Sequence, residues 1–571
     1  MIIDNIEKLL KDGAQRAGYA SENLSISFSA LPDLCDFQCN GCFSLAKQSK
    51  ENPYDVAVKI VKEIENNNIC TFEVARPAFI NIKMTDKGFE DLAKNLFEDE
   101  RCGVPKHKVK QRVLLDYGGA NVAKELHVGH LRPAIIGESL KRLYKFMGEE
   151  VISDVHLGDW GLQMGLNELQ LYEDGNLDYY FGKSKEKKEI TLDMLNKAYP
   201  QASARSKEDE EFKKKAEEWT KFIQDKKEPY FSIYQEIRRV SVVKIKENYN
   251  ALGTQFDLWN GESDCMDYVE DAIKQITDKG LARESEGALI VDVANEKDNK
   301  PMPPAIIKKH NGAVLYATTD IATIYMRNKL YDLDRIEYVT DQRQNLHFEQ
   351  VFRVCKMSGI SPEKQQLVHI GHGTMNGKDG KPFKTRSGGT LKLEDIINML
   401  IEKASAKLES NGVEYDRALA LKIGVGAMKF GDLSNNVAKD YVFDLDKFLS
   451  FEGKSGPYLQ YTVCRINSLL AKTSEEEKCF AIFNDEQKEI LNKILKLNSS
   501  YEICYKERSL NNLALATYDV ASAFSTFYNN HKILTETNKE KKASFVNLLK
   551  IVRKALVQAL GVLAIEVPEK M

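Results

Sequence analysis

Hydrophobic positions along this chain follow two rhythms. The apolar run Val113-Leu114-Leu115 gives way to Gly118-Gly119-Ala120-Asn121, and then Leu131, Ile135, Leu140, Leu143, Tyr144 and Met147 recur at helical spacing. The run is too short for a helix and suits a buried strand; the later spacing predicts a helix that stops at Gly148. VISDVHLGDWG then closes a βαβ step and ends on the polar tip His156-Leu157-Gly158-Asp159-Trp160. ALIVDV and IIKKHNGAVLYATTDIATIYMRNKL predict that the same sheet resumes, with a hairpin at Asn311-Gly312, a strand over 314–316 and a helix after Thr318-Thr319-Asp320. RIEYVTDQRQNLHFEQVFRVCKMSG repeats strand, polar loop with Gln344 and His347, and helix, and LVHIGHG is one more strand.

The flanks differ from this centre. Residues 1–107 mix helical and alternating stretches and read as a small α+β domain. Residues 108–394 carry the strand–helix units, interrupted near 175–255 by mixed-charge helical sequence that reads as a solvated insertion. From 395 to 571 the period is helical almost throughout, which predicts a helix bundle that binds rather than reacts. A length of 571 residues exceeds what one core supports and agrees with three domains.

Composition narrows the class. Hydrophobic content of 43% with 29% charged residues describes a soluble globular protein, and no apolar run approaches 18 residues, so no membrane span is expected. The opening MIIDNIEKLLKDGAQRAG is an amphipathic helix unlike a secretory signal. Ten scattered cysteines suit a reducing cytoplasm. Cys35, Cys39 and Cys42 have the spacing of a radical-SAM iron–sulfur motif, but their neighbours Asp36, Gln38 and Asn40 suggest a polar surface, and no cluster is expected. A net charge of −4 announces no nucleic acid; such a partner would have to meet local basic patches.

Candidate chemistry gathers around the first strand–helix unit. His127 and His130, three apart at the start of the helix, share a face, and Lys124 lies one turn earlier. A helix N-terminus after a parallel strand binds phosphate through free N–H groups, and two imidazoles and an ammonium would add positive charge. A metal site is one alternative, although zinc needs three or four ligands and no cysteine is near, and ordinary surface histidines at a helix start are the other. Lys378, Lys381, Lys384 and Arg386 lie in a glycine-rich loop suited to closing over polyphosphate; a solvated hairpin is the alternative. That loop is neither a P-loop nor a dinucleotide fingerprint. Asp320 falls where a helix cap is also wanted.

AKELHVGH is a variant of the HIGH signature of class I aminoacyl-tRNA synthetases. With DYGGANVAKELHVGHLRP, HLGDWG, LYATTDIA, GKDGKPFKTRSGG and GPYLQYT in that order, the chain closely resembles the arginyl-tRNA synthetases over essentially its whole length. The resemblance implies an α/β fold class: a Rossmann-like parallel-sheet catalytic domain between an N-terminal α+β domain that touches tRNA and a C-terminal all-α helix bundle that reads the anticodon. It implies activation of arginine with ATP, then transfer of arginine to the 3′-terminal ribose of its tRNA. ATP would come with Mg2+ as a substrate complex, with no tightly bound cofactor and no resident metal, and the family suggests a cytoplasmic monomer that needs tRNA before it activates arginine.

Residue by residue, Lys124, His127, His130, Lys384 and Arg386 match catalytic positions. His127, Gly129, His130, His369, Gly371, His372 and Met375 match the ATP site, and Asp116, Asn121, Tyr316, Asp320 and Gln344 the arginine site. Asp116 and Asp320 would meet the guanidinium, because planar bidentate carboxylates suit it. Phe79, Asn81, Tyr528 and Met571 fall where tRNA contacts are expected. Two departures stand out. FKTRS at 383–387 replaces KMSKS, with Lys124 resembling the lysine that substitutes for the missing charge. Gly118-Gly119-Ala120-Asn121 replaces the family's Ser-x-Pro-Asn, losing a hydroxyl. A synthetase for another amino acid, a small-molecule nucleotidyltransferase and a non-catalytic RNA-binding relative are the competing readings; the paired acids favour a cationic amino acid.

Overall fold

The computed structural model describes residues 2–571 except 23, 32, 311–313, 378, 382–390, 411, 415 and 474–476. The first hundred residues form α1 (Ile2–Arg16), β1 (Ser27–Phe28), β2 (Phe37–Cys39), α2 (Cys42–Ser49), α3 (Pro53–Lys62), β3 (Cys70–Ala75), β4 (Phe79–Met84) and α4 (Asp86–Glu98). Their strands pair antiparallel in the order β1-β2-β4-β3. Asn52 and Pro53 break the long helical stretch in two, since the Asn52 side chain accepts from Tyr54 N and Pro53 begins the next helix. Cys35, Cys39 and Cys42 are all buried here: Cys35 donates to Ser29 Oγ at 3.3 Å, and burial pushes the Cys42 thiol up to about 12.

The central region runs β5 (Arg112–Tyr117), α5 (Leu131–Met147), β6 (Glu150–Asp154), α6 (Leu162–Glu173), then the helical insertion α7 (Leu192–Glu208), α8 (Glu210–Gln224) and α9 (Tyr230–Ala251). It continues with α10 (Val269–Asp278), β7 (Ala282–Ser285), β8 (Ala288–Val291), β9 (Ala305–Lys308), α11 (Tyr316–Leu330), β10 (Arg335–Asp341), α12 (Asn345–Ser358) and β11 (Gln366–His372). The main sheet has the order β11-β10-β5-β6, every pair parallel. Its register sets His369, Tyr338, Asp116 and Asp154 side by side in one row. Helix α5 is buried nearly all round because the sheet covers one side and C-terminal helices the other. The fit is close: a Cβ on Gly137 would lie 2.2 Å from Tyr117 Cγ.

Three expectations need correction. ALIV and the strand after it do not resume the parallel sheet; β7, β8 and β9 form a separate antiparallel sheet. Glu286 and Gly287, both at positive φ, make a two-residue hairpin, so the apolar run finds its partner locally. No strand spans 314–316: Val314 makes only an isolated bridge to Lys308, and α11 already begins at Tyr316. Asn311-Gly312 lies outside the described residues. His347 sits within α12 rather than in the loop before it, and Gln344 ends a short 3-10 turn, Gln342–Gln344.

The remainder comprises β12 (Met375–Asn376), α13 (Leu393–Ser410), α14 (Arg417–Leu433), β13 (Tyr441–Val442), α15 (Leu445–Phe448), α16 (Gly456–Leu470), α17 (Asp485–Glu507), α18 (Asn511–Asn530) and α19 (Lys539–Val562). The bundle is fastened to the base of the sheet by a charged seam. His107, ahead of β5, bonds Glu149 at 2.7 Å and Glu502 of α17 at 2.9 Å, and Tyr505 donates to Glu149 at 2.8 Å. Buried Glu337 of β10 accepts from Tyr144 Oη and Arg508 Nε, both at 2.7 Å. Among the described residues no helix is long and apolar enough to cross a membrane.

Candidate active site

The chain leaves β5 through Gly118 at φ +98 and Gly119 at φ +59, left-handed positions that suit glycine. A Cβ on Gly118 would also press on Tyr249 Oη at 3.0 Å. The glycine pair that replaces Ser-x-Pro therefore fits the backbone observed here. The two glycines border a cleft of about 300 Å3 at the C-terminal ends of β5 and β10.

One wall is the 3-10 turn Val128–His130 that leads into α5. His127 N donates to His130 Nδ1 at 3.1 Å, and Gly129 N donates to His127 Nδ1 at 3.1 Å. His127 Nδ1 accepts, so a neutral His127 ring carries its proton on Nε2, whereas His130 Nδ1 faces both His127 N at 3.1 Å and His127 O at 3.3 Å. The rings lie 4.1 Å apart, and a Cβ on Gly129 would stand 2.8 Å from His127 Cε1, which excludes a side chain there. Burial drives the His130 pKa down to about 3 and lowers that of His127, with Lys124 adding to both effects. Both shifts disfavour the charged imidazole and so run against the expectation that this pair adds positive charge. Lys124 is exposed and lines a neighbouring cavity instead of this cleft.

The opposite wall comprises the end of β10, Arg343 and Gln344, and His372 to Met375. Asp341 caps the 3-10 turn and accepts Arg343 Nε at 2.8 Å and Nη2 at 2.7 Å. His372 and Met375 are buried wall residues; Gln344 is exposed at the lip. His369 and Gly371 stand behind the wall. His369 stacks on Phe348 at 4.6 Å and pairs with Thr340 Oγ1 at 2.7 Å, and burial takes its pKa to about 4. A Cβ on Gly371 would meet Asn345 Oδ1 at 2.9 Å, so its bare backbone seats the 3-10 turn. Arg132 ties the two walls: its Nε donates to Asp432 at 3.1 Å and its Nη1 to Lys439 O at 2.9 Å, while Tyr441, paired with Met375, donates to Asp432 at 2.8 Å.

The expected arginine residues separate into two settings. Asp116 is 6% exposed and accepts from Arg327 Nη2 at 2.5 Å, and the same nitrogen donates to Asp154 at 2.8 Å. Burial raises the Asp116 pKa; on Asp154 burial is outweighed by Arg327, and the pKa falls. Asp116, Asp154 and His156 come close enough to suggest a metal, but a guanidinium already bridges the two acids, so the group does not fit an ion. Asp320 is no cap: it lies on the second turn of α11, partly exposed, and pairs with His347 Nε2 at 2.5 Å. Tyr316 is 75% exposed at the first position of that helix. Asn121 forms a backbone bridge with Gly158 and does not border the cleft.

The expected tRNA residues lie in the outer domains. Phe79 is half-buried, edge-on to Phe43 at 5.5 Å, and Asn81 is buried, accepting from Gln38 Nε2 at 2.8 Å. Tyr528 is half-buried with the Arg465 guanidinium 4.9 Å from its ring centre, and Met571 packs half-buried on the bundle core. Lys378, Lys384 and Arg386 lie outside the described residues.

Three residues were not anticipated. Arg327 stands seven positions after Asp320, two turns along one face of α11, a spacing that hinted at a shared site. Arg132 follows the His-x-x-His pair directly and carried no signal of its partner 300 residues away. Glu262 opens the 3-10 turn Glu262–Tyr268, which packs on α11, where Cys265 donates to Thr319 O at 3.5 Å. Its carboxylate accepts from the Trp160 backbone and has no Lys or Arg partner among the described residues; burial, with Asp159 and Asp320 nearby and His156 opposing, takes its pKa up to about 7.

Family models cover almost the whole chain. Residues 2–84 match an arginyl tRNA synthetase N terminal domain, 91–445 the class I (R) tRNA synthetase catalytic domain, and 459–571 a DALR anticodon binding domain. The arginine–tRNA ligase of Alkaliphilus oremlandii is 42% identical over 586 residues, covering 100% of both chains, and that of Agathobacter rectalis is 42% identical over 97% of each. Among solved structures, the arginyl-tRNA synthetases of Plasmodium falciparum (TM-score 0.83, 23% identity, 100% of this chain and 99% of that one) and Thermus thermophilus (TM-score 0.81, 20% identity, 100% of both) share the fold. On identity sustained from end to end and three family models in sequence, this chain belongs to the arginyl-tRNA synthetases, the class I ligases that join arginine to tRNA.

Proposed function

We propose that the cleft beside His127 and His130 activates arginine with ATP and passes the arginyl group to the 3′-terminal ribose of its tRNA. In the first step the arginine carboxylate forms a bond to the α-phosphorus and the bond to pyrophosphate breaks. Negative charge gathers on phosphate oxygens, so preorganised donors matter most. The imidazole pair His127 and His130, fixed at the head of α5 by backbone hydrogen bonds and bordering the cleft, is the observation that carries this reading. Mg2+ arrives with the ATP, and Lys124, Lys384 and Arg386 supply further positive charge. His372 and Met375 frame the nucleotide, with His369 and Gly371 supporting that wall from behind.

The guanidinium goes to Asp320, which exchanges His347 for the substrate. Glu262 is a second acceptor, and Asp116 contributes the oxygen that Arg327 leaves free. Asn121, Tyr316 and Gln344 hold the remaining parts of the amino acid. Residues 1–107, with Phe79 and Asn81, meet the outer corner of the tRNA; 108–394 perform the chemistry; 395–571, with Tyr528 and Met571, read the anticodon. One chain supplies all these groups, which supports a monomer, and ten free cysteines support a reducing cytoplasm.

Pyrophosphate exchange with each amino acid, with and without arginine tRNA, tests the assignment. Exchange is expected with arginine alone and only when tRNA is present; exchange driven by another amino acid would overturn it.

A further inference from the structure

Beyond β11 the 373–375 wall of the cleft leaves the sheet and hangs on the segment 437–443, which follows α14. Gly373 N donates to Val437 O at 3.0 Å, Thr374 N to Asp440 Oδ1 at 2.6 Å, Tyr441 N to Thr374 O at 3.1 Å and Phe443 N to Asn376 O at 2.8 Å. The seat is close: a Cβ on Gly373 would stand 2.5 Å from the Lys439 carbonyl carbon. Where this segment lies therefore decides where the wall stands.

Asp432, in the last turn of α14 and 1% exposed, is bonded to the supports of both walls. One of its oxygens, Oδ2, accepts from Arg132 Nε at 3.1 Å and from Tyr441 Oη at 2.8 Å. Arg132 stands two residues after His130 in α5, and Tyr441 belongs to the segment that carries the opposite wall. Arg132, itself buried, closes the ring by donating Nη1 to Lys439 O at 2.9 Å. A single carboxylate oxygen thus spans the histidine turn and the wall facing it. Asp432 does not border the cleft, so it reaches a nucleotide only through these partners. Asp320 and His347, on α11 and α12, lie outside the ring. We propose that Asp432 is a positioning residue for the activation step: through Arg132 and Tyr441 it fixes the width of the cleft and so sets the affinity for ATP, leaving arginine affinity alone. Shifts of about 1 Å in such a support are enough to weaken binding and turnover. The inference rests on the nucleotide reading of this cleft given above.

Pyrophosphate exchange by the whole enzyme, with arginine and its tRNA present, tests this in Tyr441→Phe and Asp432→Asn. Tyr441→Phe removes one hydrogen bond and keeps the ion pair. Its KM for ATP is expected to rise about threefold, with turnover and the KM for arginine within about twofold of wild type. Asp432→Asn also takes the counter-charge from a buried guanidinium and is expected to raise the KM for ATP about tenfold. Inhibition by adenosine, which needs the width of the cleft but carries no phosphate, should weaken by the same factors. If Asp432→Asn does not fold, Tyr441→Phe decides alone. Two results would overturn the inference: an unchanged KM for ATP in Tyr441→Phe, or KM values for ATP and arginine that rise together, the mark of general loosening. Failure of the wild-type enzyme to exchange pyrophosphate with arginine and tRNA would instead refute the function itself.

Discussion

Asp116 and Asp320 present the same carboxylate to the same region, yet the fold treats them differently. Asp116 lies in the interior row of the sheet, sealed from water and gripped by Arg327 together with Asp154. Asp320 is partly exposed on α11 and pairs with the His347 imidazole. The difference shows that a carboxylate's availability is set by the partner the fold gives it. An acid held by an internal guanidinium keeps at most one oxygen to offer, whereas a partly exposed acid paired with a histidine is the more open of the two.

Four experiments would break or sharpen that contrast. The largest effect is expected from Arg327→Met, which leaves two buried carboxylates facing each other without a cation; unpairing such a charge costs about 3–5 kcal/mol, read as a lowered urea midpoint. A variant that unfolds at the wild-type midpoint would show that the interior row does not depend on Arg327. Next comes Asp320→Asn. Losing a charged hydrogen bond of about 1.5–3 kcal/mol should raise the KM for arginine about 10- to 100-fold, with ATP little affected. Stability should hardly move, and a large fall in melting temperature would place Asp320 with the structural acids.

Glu262 gives a pH test. Its pKa of about 7 lies above its unfolded value, so between roughly pH 4.5 and 7 the folded protein holds a proton that the unfolded chain has released. That group therefore weakens the fold as pH rises through this window. Arginine favours the ionised form, so its KM should fall several-fold from pH 6 to pH 8, and Glu262→Gln should flatten the profile. An unaltered profile in the variant would remove Glu262 from the pocket. The smallest effect is expected from Tyr316→Ala. Loss of a ring that is 75% exposed should leave stability within about 0.5 kcal/mol, so any rise in arginine KM would report direct contact with substrate.

Local pattern made much of this fold legible. The strand–turn–helix unit from Arg112 to Gly148, the break at Asn52-Pro53 and the helical C-terminal third all follow from spacing and capping residues near one another in sequence. What could not be read was partnership. ALIV looks the same whether it pairs with a neighbouring hairpin or a distant strand. Asp116 and Arg327 are 211 residues apart, and nothing in either stretch announces the other. The histidine pair was legible as the head of a helix, but its lowered pKa values were not, because they depend on burial by chain far from the motif.

The charged seam under the sheet has a mechanical consequence. Glu149 stands immediately before β6 and Arg335 and Glu337 open β10, all held by residues at the end of α17, while the far ends of β5 and β10 form the lip of the cleft. Strands of five to seven residues span about 20 Å and transmit displacement with little give. The bundle is thus bonded to the ends of the strands opposite the cleft, some two nanometres from its lip, with continuous hydrogen-bonded backbone between.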